Sequence, residues 1–253
     1  SVGFNISLDT RVNFTYKYEN LDVRAVGTSE VLKQDLGKST RSILDLSLRL
    51  DKRDSIIKPT KGYLVKFGSE IAGLGGDEHF VKSIASGKIY RGIYGNNIIF
   101  STELEGGILS MGNGYSKVVD RFMLGGRSFR GFKYSGIGPR ELSRGQYTIP
   151  LGGEKYAIAR FAASFPLGLP RELGLYGSVF AEAGSLWSIK TDPSVAGLSD
   201  KIALTDRTLR TSIGFAMNWE TPIGPLQFNW SRPQKYLDAD STEYFSLNLA
   251  TRF

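Results

Sequence analysis

The chain alternates between apolar and polar positions. In Ser39–Asp51, Leu44, Leu46, Leu48 and Leu50 share one side of an extended backbone, while Arg41, Asp45, Ser47, Arg49 and Asp51 share the other. In Arg207–Glu220, one side carries Leu209, Thr211, Ile213, Phe215, Met217 and Trp219, and the other carries Arg210, Ser212, Gly214, Ala216, Asn218 and Glu220. The last ten residues place Phe245, Leu247, Leu249, Thr251 and Phe253 together, opposite Tyr244, Ser246, Asn248, Ala250 and Arg252. A period of two is the mark of a half-buried strand. It recurs near 2–9, 11–24, 62–73, 78–92, 97–110, 153–165, 174–187 and 225–232, which predicts about eleven strands. Many are around ten residues long, the length that a tilted membrane-spanning strand needs. No segment reads as an amphipathic helix.

The connections alternate too. Short turns are predicted near 9–10, 52–61, 93–96, 166–173 and 222–224, and longer polar loops near 25–38, 111–152, 188–206 and 233–242. Short turns at one end and long loops at the other are the habit of an outer-membrane barrel. The predicted fold is all-β, a transmembrane antiparallel up-and-down barrel, with residues 1–253 forming one unit. A soluble β-sandwich that buries its apolar face is the competing architecture, since alternation alone does not say which face is wet. Strand length favours the barrel, because soluble strands average about five to six residues. So do aromatics near strand ends: Tyr16, Tyr18, Trp187, Trp219, Trp230 and Phe253 are candidates for interfacial girdles.

Composition narrows the picture in three ways. No run approaches the ~18 apolar residues of a membrane helix, but a barrel's mean hydropathy looks soluble. Cysteine is absent and there is one histidine, so a thiolate nucleophile, a disulfide framework and a zinc site are not expected. His79, in a Gly-Gly-Asp-Glu-His-Phe stretch, reads as a surface polar residue. The formal charge of +7 is spread along the chain, which fits a charged lumen better than a nucleic-acid patch. Glu103 with Glu105, and Asp45 with Arg49, share inward faces and read as parts of a charge lattice. No cofactor, metal or enzymatic activity is expected.

One loop stands apart. Leu124–Phe132 holds three glycines, two arginines and two phenylalanines. An anion-binding nest is one reading of such a stretch, but no P-loop lysine and no helix start follow it. In the wider context Arg121–Glu141, the stretch resembles the inward-folded loop of BamA-type outer-membrane assembly proteins. The Gly125–Gly126 pair precedes a Phe129-Arg130-Gly131-Phe132 core, with Phe129 where the family usually has a branched aliphatic, and Gly136–Arg140 continues it. Asp51–Tyr63, Ser164–Trp187, and Glu220–Pro233 with the terminal Ala250–Phe253 resemble further family blocks, in the same order. The Ser164–Trp187 hairpin looks most like the alphaproteobacterial branch.

The resemblance implies a sixteen-stranded barrel preceded by periplasmic POTRA modules, of which this chain would hold the last eleven strands and no POTRA module. It implies insertion of client β-barrels into the bacterial outer membrane, as part of a BAM complex. The implied partners are outer-membrane lipid and lipopolysaccharide, unfolded β-barrel clients and accessory assembly lipoproteins, without nucleic acid. A polypeptide-exporting pore of the same superfamily is the alternative. In the family the loop arginine reaches an inward acid, and Glu182 occupies that position here. Parity agrees: Leu175, Val179 and Ala181 face out, so Tyr176, Phe180 and Glu182 face in. Arg130 with Glu182 is therefore the expected tether, with Arg160 or Arg210 as competing partners of Glu182. Gly125, Gly126 and Gly131 would permit tight turns and close approach, and Phe129 and Phe132 would anchor the loop. Phe245, Leu247, Leu249 and Phe253 resemble the C-terminal strand signal of membrane barrels.

Overall fold

The computed structural model describes residues 1–24, 29–112, 114–192, 197–221 and 224–249. Among these, the strands in chain order are β1 (Val2–Asn5), β2 (Thr10–Val23), β3 (Gly37–Asp51), β4 (Lys61–Gly76), β5 (Phe80–Ile93), β6 (Ile98–Met111), β7 (Arg140–Ser143), β8 (Gln146–Pro150), β9 (Lys155–Pro166), β10 (Leu175–Trp187), β11 (Ile202–Ala203), β12 (Arg210–Thr221), β13 (Gly224–Lys235) and β14 (Phe245–Leu249). Eleven of them form one sheet in the order β1-β2-β3-β4-β5-β6-β9-β10-β12-β13-β14. Each strand pairs antiparallel with its neighbour, as an up-and-down wall requires.

The alternation set the wall strands closely, and the differences have local causes. The first strand is shorter than the expected 2–9, because Ile6 and Ser7 donate to the Thr10 carbonyl and turn the chain. Asp77–His79 make a tight connection at the long-loop end, between β4 and β5. The loops at 112–154 and 188–209 contribute β7, β8 and β11 to a small second sheet, in the order β11-β7-β8. One turn of helix, α1 (Glu30–Lys33), begins where the Ser29 side chain accepts from the Leu32 N–H. These pieces are too short to leave a periodic signature. Val31, Leu151 and Leu198 pack together where the three loops meet.

The wall has inverted polarity. Phe14, Phe67, Phe100, Phe161, Ile213, Trp230 and Leu247 stand exposed on its outer face, and so do Tyr16, Tyr18 and Trp219. Trp187 is half-buried. An apolar face of this extent is what lipid covers and a soluble protein avoids. The inner face carries ion pairs: Lys17 to Asp45 and Glu70, Lys88 to Glu103, and Arg160 to Glu103 and Glu105. A sandwich would need a second sheet over the apolar face, and the small sheet of loop strands is not that layer. The main core instead lies between the inner wall and the long loop, where Ile43, Phe80, Leu109, Tyr156, Ile158 and Leu186 meet Phe122, Phe129, Phe132 and Ile137.

At the short-turn end, the Asp51–Tyr63 block has a plain physical role. The Asp54 carboxylate accepts from the Thr60 hydroxyl and from the Thr60 and Lys61 N–H groups. The Thr60 hydroxyl first, then those backbone N–H groups, hold its carboxyl down at about 2. Gly62 follows at φ +101, where a Cβ would lie 2.1 Å from the Lys52 carbonyl oxygen.

Candidate functional site

The long loop folds back onto the inner wall, and its tip is gripped by three consecutive wall strands. Cross-strand register sets up the grip. Lys88 on β5, Glu103 on β6, Arg160 on β9, Glu182 on β10 and Ser212 on β12 form one row of directly paired residues. Along the first four, charge alternates in sign, which suits neighbours on one face of a sheet. Arg160 donates through Nη2 to the Ser128 carbonyl at 2.7 Å. Glu182 takes the Arg130 N–H on Oε2 at 2.7 Å. The Ser212 hydroxyl donates to the Arg130 carbonyl at 2.6 Å.

The side chain of Arg130 completes the arrangement. Its Nη2 lies 2.6 Å from Glu182 Oε1, and its Nε donates to the same oxygen at 2.7 Å. The two side chains are only 13% and 2% exposed. The guanidinium also lies over the Phe180 ring, 3.5 Å from its centroid. That ring can lie flat because Gly214 is opposite it: a Cβ there would come within 2.4 Å of Phe180 Cζ. Charge-assisted hydrogen bonds and stacking on an aromatic face are what a planar guanidinium does well. The competing partners are engaged elsewhere, Arg160 with Glu103 and Glu105, and Arg210 with Asp240.

The glycines and phenylalanines of the motif have separate tasks. Gly131, at φ +91, packs against Ser212, whose Cβ would be 2.9 Å from an added Cβ. Gly125, at φ +129, would carry a Cβ 1.9 Å from the Lys133 carbonyl oxygen. Gly126 is also left-handed, at φ +59, and its N–H donates to the Phe132 carbonyl. Phe129 and Phe132 are fully buried, with ring centroids 5.1 Å apart. A β-bulge between Thr211 and Ser212 sits beside the docked tip, a common place for one to re-aim a side chain.

Three parts of the site left no mark in the alternation. Arg127 donates through Nη2 to the Leu249 carbonyl at 2.7 Å and through Nε to Asn248 Oδ1 at 3.3 Å. The other arginine of the Leu124–Phe132 stretch thus reaches β14. The loop 236–244 forms a second clamp, exchanging main-chain bonds with Gly131, Lys133 and Gly136. Near the other end of the loop, Arg41 pairs with Glu19, Glu78 and Asp120, and Lys117 with Glu78. Burial pushes the Asp120 carboxyl up, against the pull of Arg41. Burial would raise Glu78 as well, but hydrogen bonds from Lys117 and Ser39 outweigh it and set that carboxyl low. His79 is exposed.

Phe245, Leu247 and Leu249 lie on the exposed face of β14, while Thr251 and Phe253 fall outside the described residues. A cavity of about 970 Å³ remains beside the loop tip, bounded by Glu103, Arg127, Arg160, Phe165, Tyr176 and Asn248 among others.

Ser212 offers a measure of the grip. Ser212→Ala removes the hydroxyl that donates to the Arg130 carbonyl and is expected to weaken loop docking by about 1–2 kcal/mol. Faster proteolytic nicking within 112–154 would register it. Unchanged nicking would mean that the bond adds nothing.

Comparison with known proteins agrees with this architecture. The model of the Omp85 superfamily domain matches residues 1–253. The chain is 30% identical over 234 residues to outer membrane protein assembly factor BamA of Neorickettsia risticii, covering 90% of this chain and 30% of that protein. It is 36% identical over 155 residues to the sorting and assembly machinery component 50 homolog of Bos taurus, covering 60% of this chain and 32% of that protein. The crystal structure of BamA from Haemophilus ducreyi lacking POTRA domains 1-3 superposes with a TM-score of 0.83 at 20% identity, over 97% of this chain and 52% of that one. The chain thus spans about 30% of the length of the BamA relatives that it matches.

Proposed function

Because the chain belongs to the Omp85 superfamily, as part of a bacterial outer-membrane barrel, we propose that it works in the assembly of other β-barrels, guiding client strands into the membrane beside its own wall. The observation that carries this reading is the occupied lumen. The loop tip is held inside by buried aromatics and by Arg130–Glu182, so a polypeptide has no clear axial path. The route that the geometry favours is lateral.

In this reading the protein performs no covalent chemistry. Its work is to lower the barrier to strand pairing in lipid, where unsatisfied backbone groups are costly. The partners are unfolded β-barrel polypeptides, outer-membrane lipid and lipopolysaccharide, with accessory lipoproteins bound outside the barrel. The export pore of the same superfamily would require the docked loop to leave the lumen.

The test is reconstitution. The protein in liposomes is expected to speed membrane insertion of a urea-unfolded eight-stranded barrel by about tenfold or more over empty liposomes, a barrier lowered by ~1.4 kcal/mol. Insertion is read from the heat-modifiable gel shift. No acceleration, together with large stable conductance across a planar bilayer, would replace this reading with the export pore.

A further inference from the structure

We propose that the outer face of the wall carries a site for one phosphate-bearing lipid of the outer leaflet. An acyl chain lies in a groove across β5, β6, β9 and β10, and the phosphate sits at Arg207. These strands each have both neighbours in the sheet, and the site does not depend on the assembly reading above.

Register builds the groove. Ala85, Gly106, Ala157 and Ser185 are direct partners on four successive strands. The next outward row holds Gly87, Leu104, Ala159 and Ala183. Parity puts both rows on the face opposite Glu103, Arg160 and Glu182. Larger side chains border them, Ile108 and Trp187 toward the long loops, Ile89 and Phe161 toward the short turns. The space between is about 1100 Å³ and extends to Phe67 on β4 and to Arg207 beyond β10. From β4 to β10 the usual strand spacing gives about 19 Å, a length that suits a chain rather than a compact molecule.

Two observations indicate that a ligand fills the groove. Gly87 stands mid-strand in β5 without a positive φ, and a Cβ added there would meet nothing within 4 Å. Neither the backbone nor a neighbouring side chain requires glycine at this position. A glycine inside a strand often marks the close approach of a ligand. Ser185 is 5% exposed, and its hydroxyl has no hydrogen-bond partner among the described residues. A buried hydroxyl left unpaired is costly. An ester oxygen of a bound lipid supplies the missing acceptor.

Charge says which lipid. The floor suits an acyl chain, and the long-loop end of the groove, which is the extracellular end of such a barrel, is cationic. The Arg207 guanidinium lies over the Trp187 ring, 6.0 Å from its centroid. Lys155 is the direct cross-strand partner of Trp187. Both cations are exposed, and no ion pair joins either to a described residue, the adjacent Asp206 included. A guanidinium with free donors is well matched to phosphate oxygens, and a tryptophan beside it marks the level of the lipid headgroups.

Bromine quenching tests the site. The protein in maltoside micelles is titrated with a phosphatidic acid that carries bromine on its acyl chains. The signal is the tryptophan quenching that disappears in Trp187→Phe, and it is expected to saturate at one lipid per protein. Arg207→Ala should weaken binding about tenfold, as for the loss of a charge-assisted hydrogen bond. Brominated diacylglycerol, which lacks the phosphate, should bind about tenfold more weakly and ignore Arg207→Ala. Gly87→Leu and Ala157→Leu should each weaken phosphatidic acid about fivefold, because the new side chain displaces acyl methylenes from the floor. Gly87→Ala should cost less, and Ala181→Leu, an outward change outside the groove, should cost nothing. The heat-modifiable shift reports that each variant is folded. Quenching that rises without saturation, equally in all variants, would mean bulk partitioning and overturn the site. Saturable binding that ignores both Gly87→Leu and Ala157→Leu would overturn the groove. Equal affinity for phosphatidic acid and diacylglycerol would overturn the phosphate at Arg207.

Discussion

Glu182→Ala is expected to release the loop tip from the wall, at a cost of about 3–5 kcal/mol, because it leaves a desolvated guanidinium without its carboxylate. Three bonds end on this one side chain: Arg130 Nε and Nη2 on one oxygen and the Arg130 N–H on the other. The reciprocal change, Arg130→Ala, should cost less. Its orphan is a carboxylate whose direct cross-strand neighbour is Arg160, so a second cation stands ready to turn toward it. Glu182→Gln keeps an acceptor for the backbone N–H but loses the charge, and belongs between wild type and Glu182→Ala. The double change Arg130→Ala/Glu182→Ala should cost less than the sum of the singles, because neither charge is then stranded. Protease nicking of 112–154 and the heat-modifiable shift measure all four variants. Equal losses from Arg130→Ala and Glu182→Ala would remove Arg160 from the account. Unchanged nicking in Glu182→Ala would end the tether itself.

Much of this site was legible in the sequence, and the reason is physical. Alternation assigns every wall residue to a face, so Glu182 was placed inward by its relation to Val179 and Ala181 alone. The wall strands followed for the same reason, since a period of two is imposed over ten or more residues by lipid on one side and a charged lumen on the other. The identity of the loop as an inward one came from the ordered motifs around Arg130, not from periodicity. What stayed hidden depends on register. Nothing in the order of residues says that Lys88, Glu103, Arg160, Glu182 and Ser212 share one row, because register is fixed by turn lengths and bulges. The reach of Arg127 to Leu249 spans 122 positions and depends on the same register. The strands β7, β8 and β11 were missed because short segments inside loops carry no periodic pattern to read.

The second clamp should be as costly to break. Asp240→Ala is expected to cost about 3–5 kcal/mol, toward the upper end of the range for a broken buried pair, because Arg210 and Asp240 are 1% and 0% exposed. Asp240 accepts from Arg210 Nε at 3.1 Å and Nη2 at 3.2 Å, and also takes the Leu237 N–H at 2.8 Å. One carboxylate therefore fixes both the partner arginine on β12 and the fold of loop 236–244. That loop holds the long one: the Ser241 carbonyl accepts from Lys133, and the Ser241 and Glu243 N–H groups donate to Gly136 and Gly131. Nicking should consequently appear in 112–154 as well as in 236–244, although Asp240 lies outside the first segment. Replacing both partners by apolar residues, Arg210→Met with Asp240→Leu, separates charge from anchorage. A buried pair exchanged for well-packed apolar groups is often close to neutral in stability, so global stability should recover in the double variant. The Leu237 N–H stays without its acceptor, so nicking in 236–244 should persist. Recovery of both would reduce Asp240 to a counter-charge. Recovery of neither would make the pair itself, rather than its mere neutrality, the element that holds the second loop against the first.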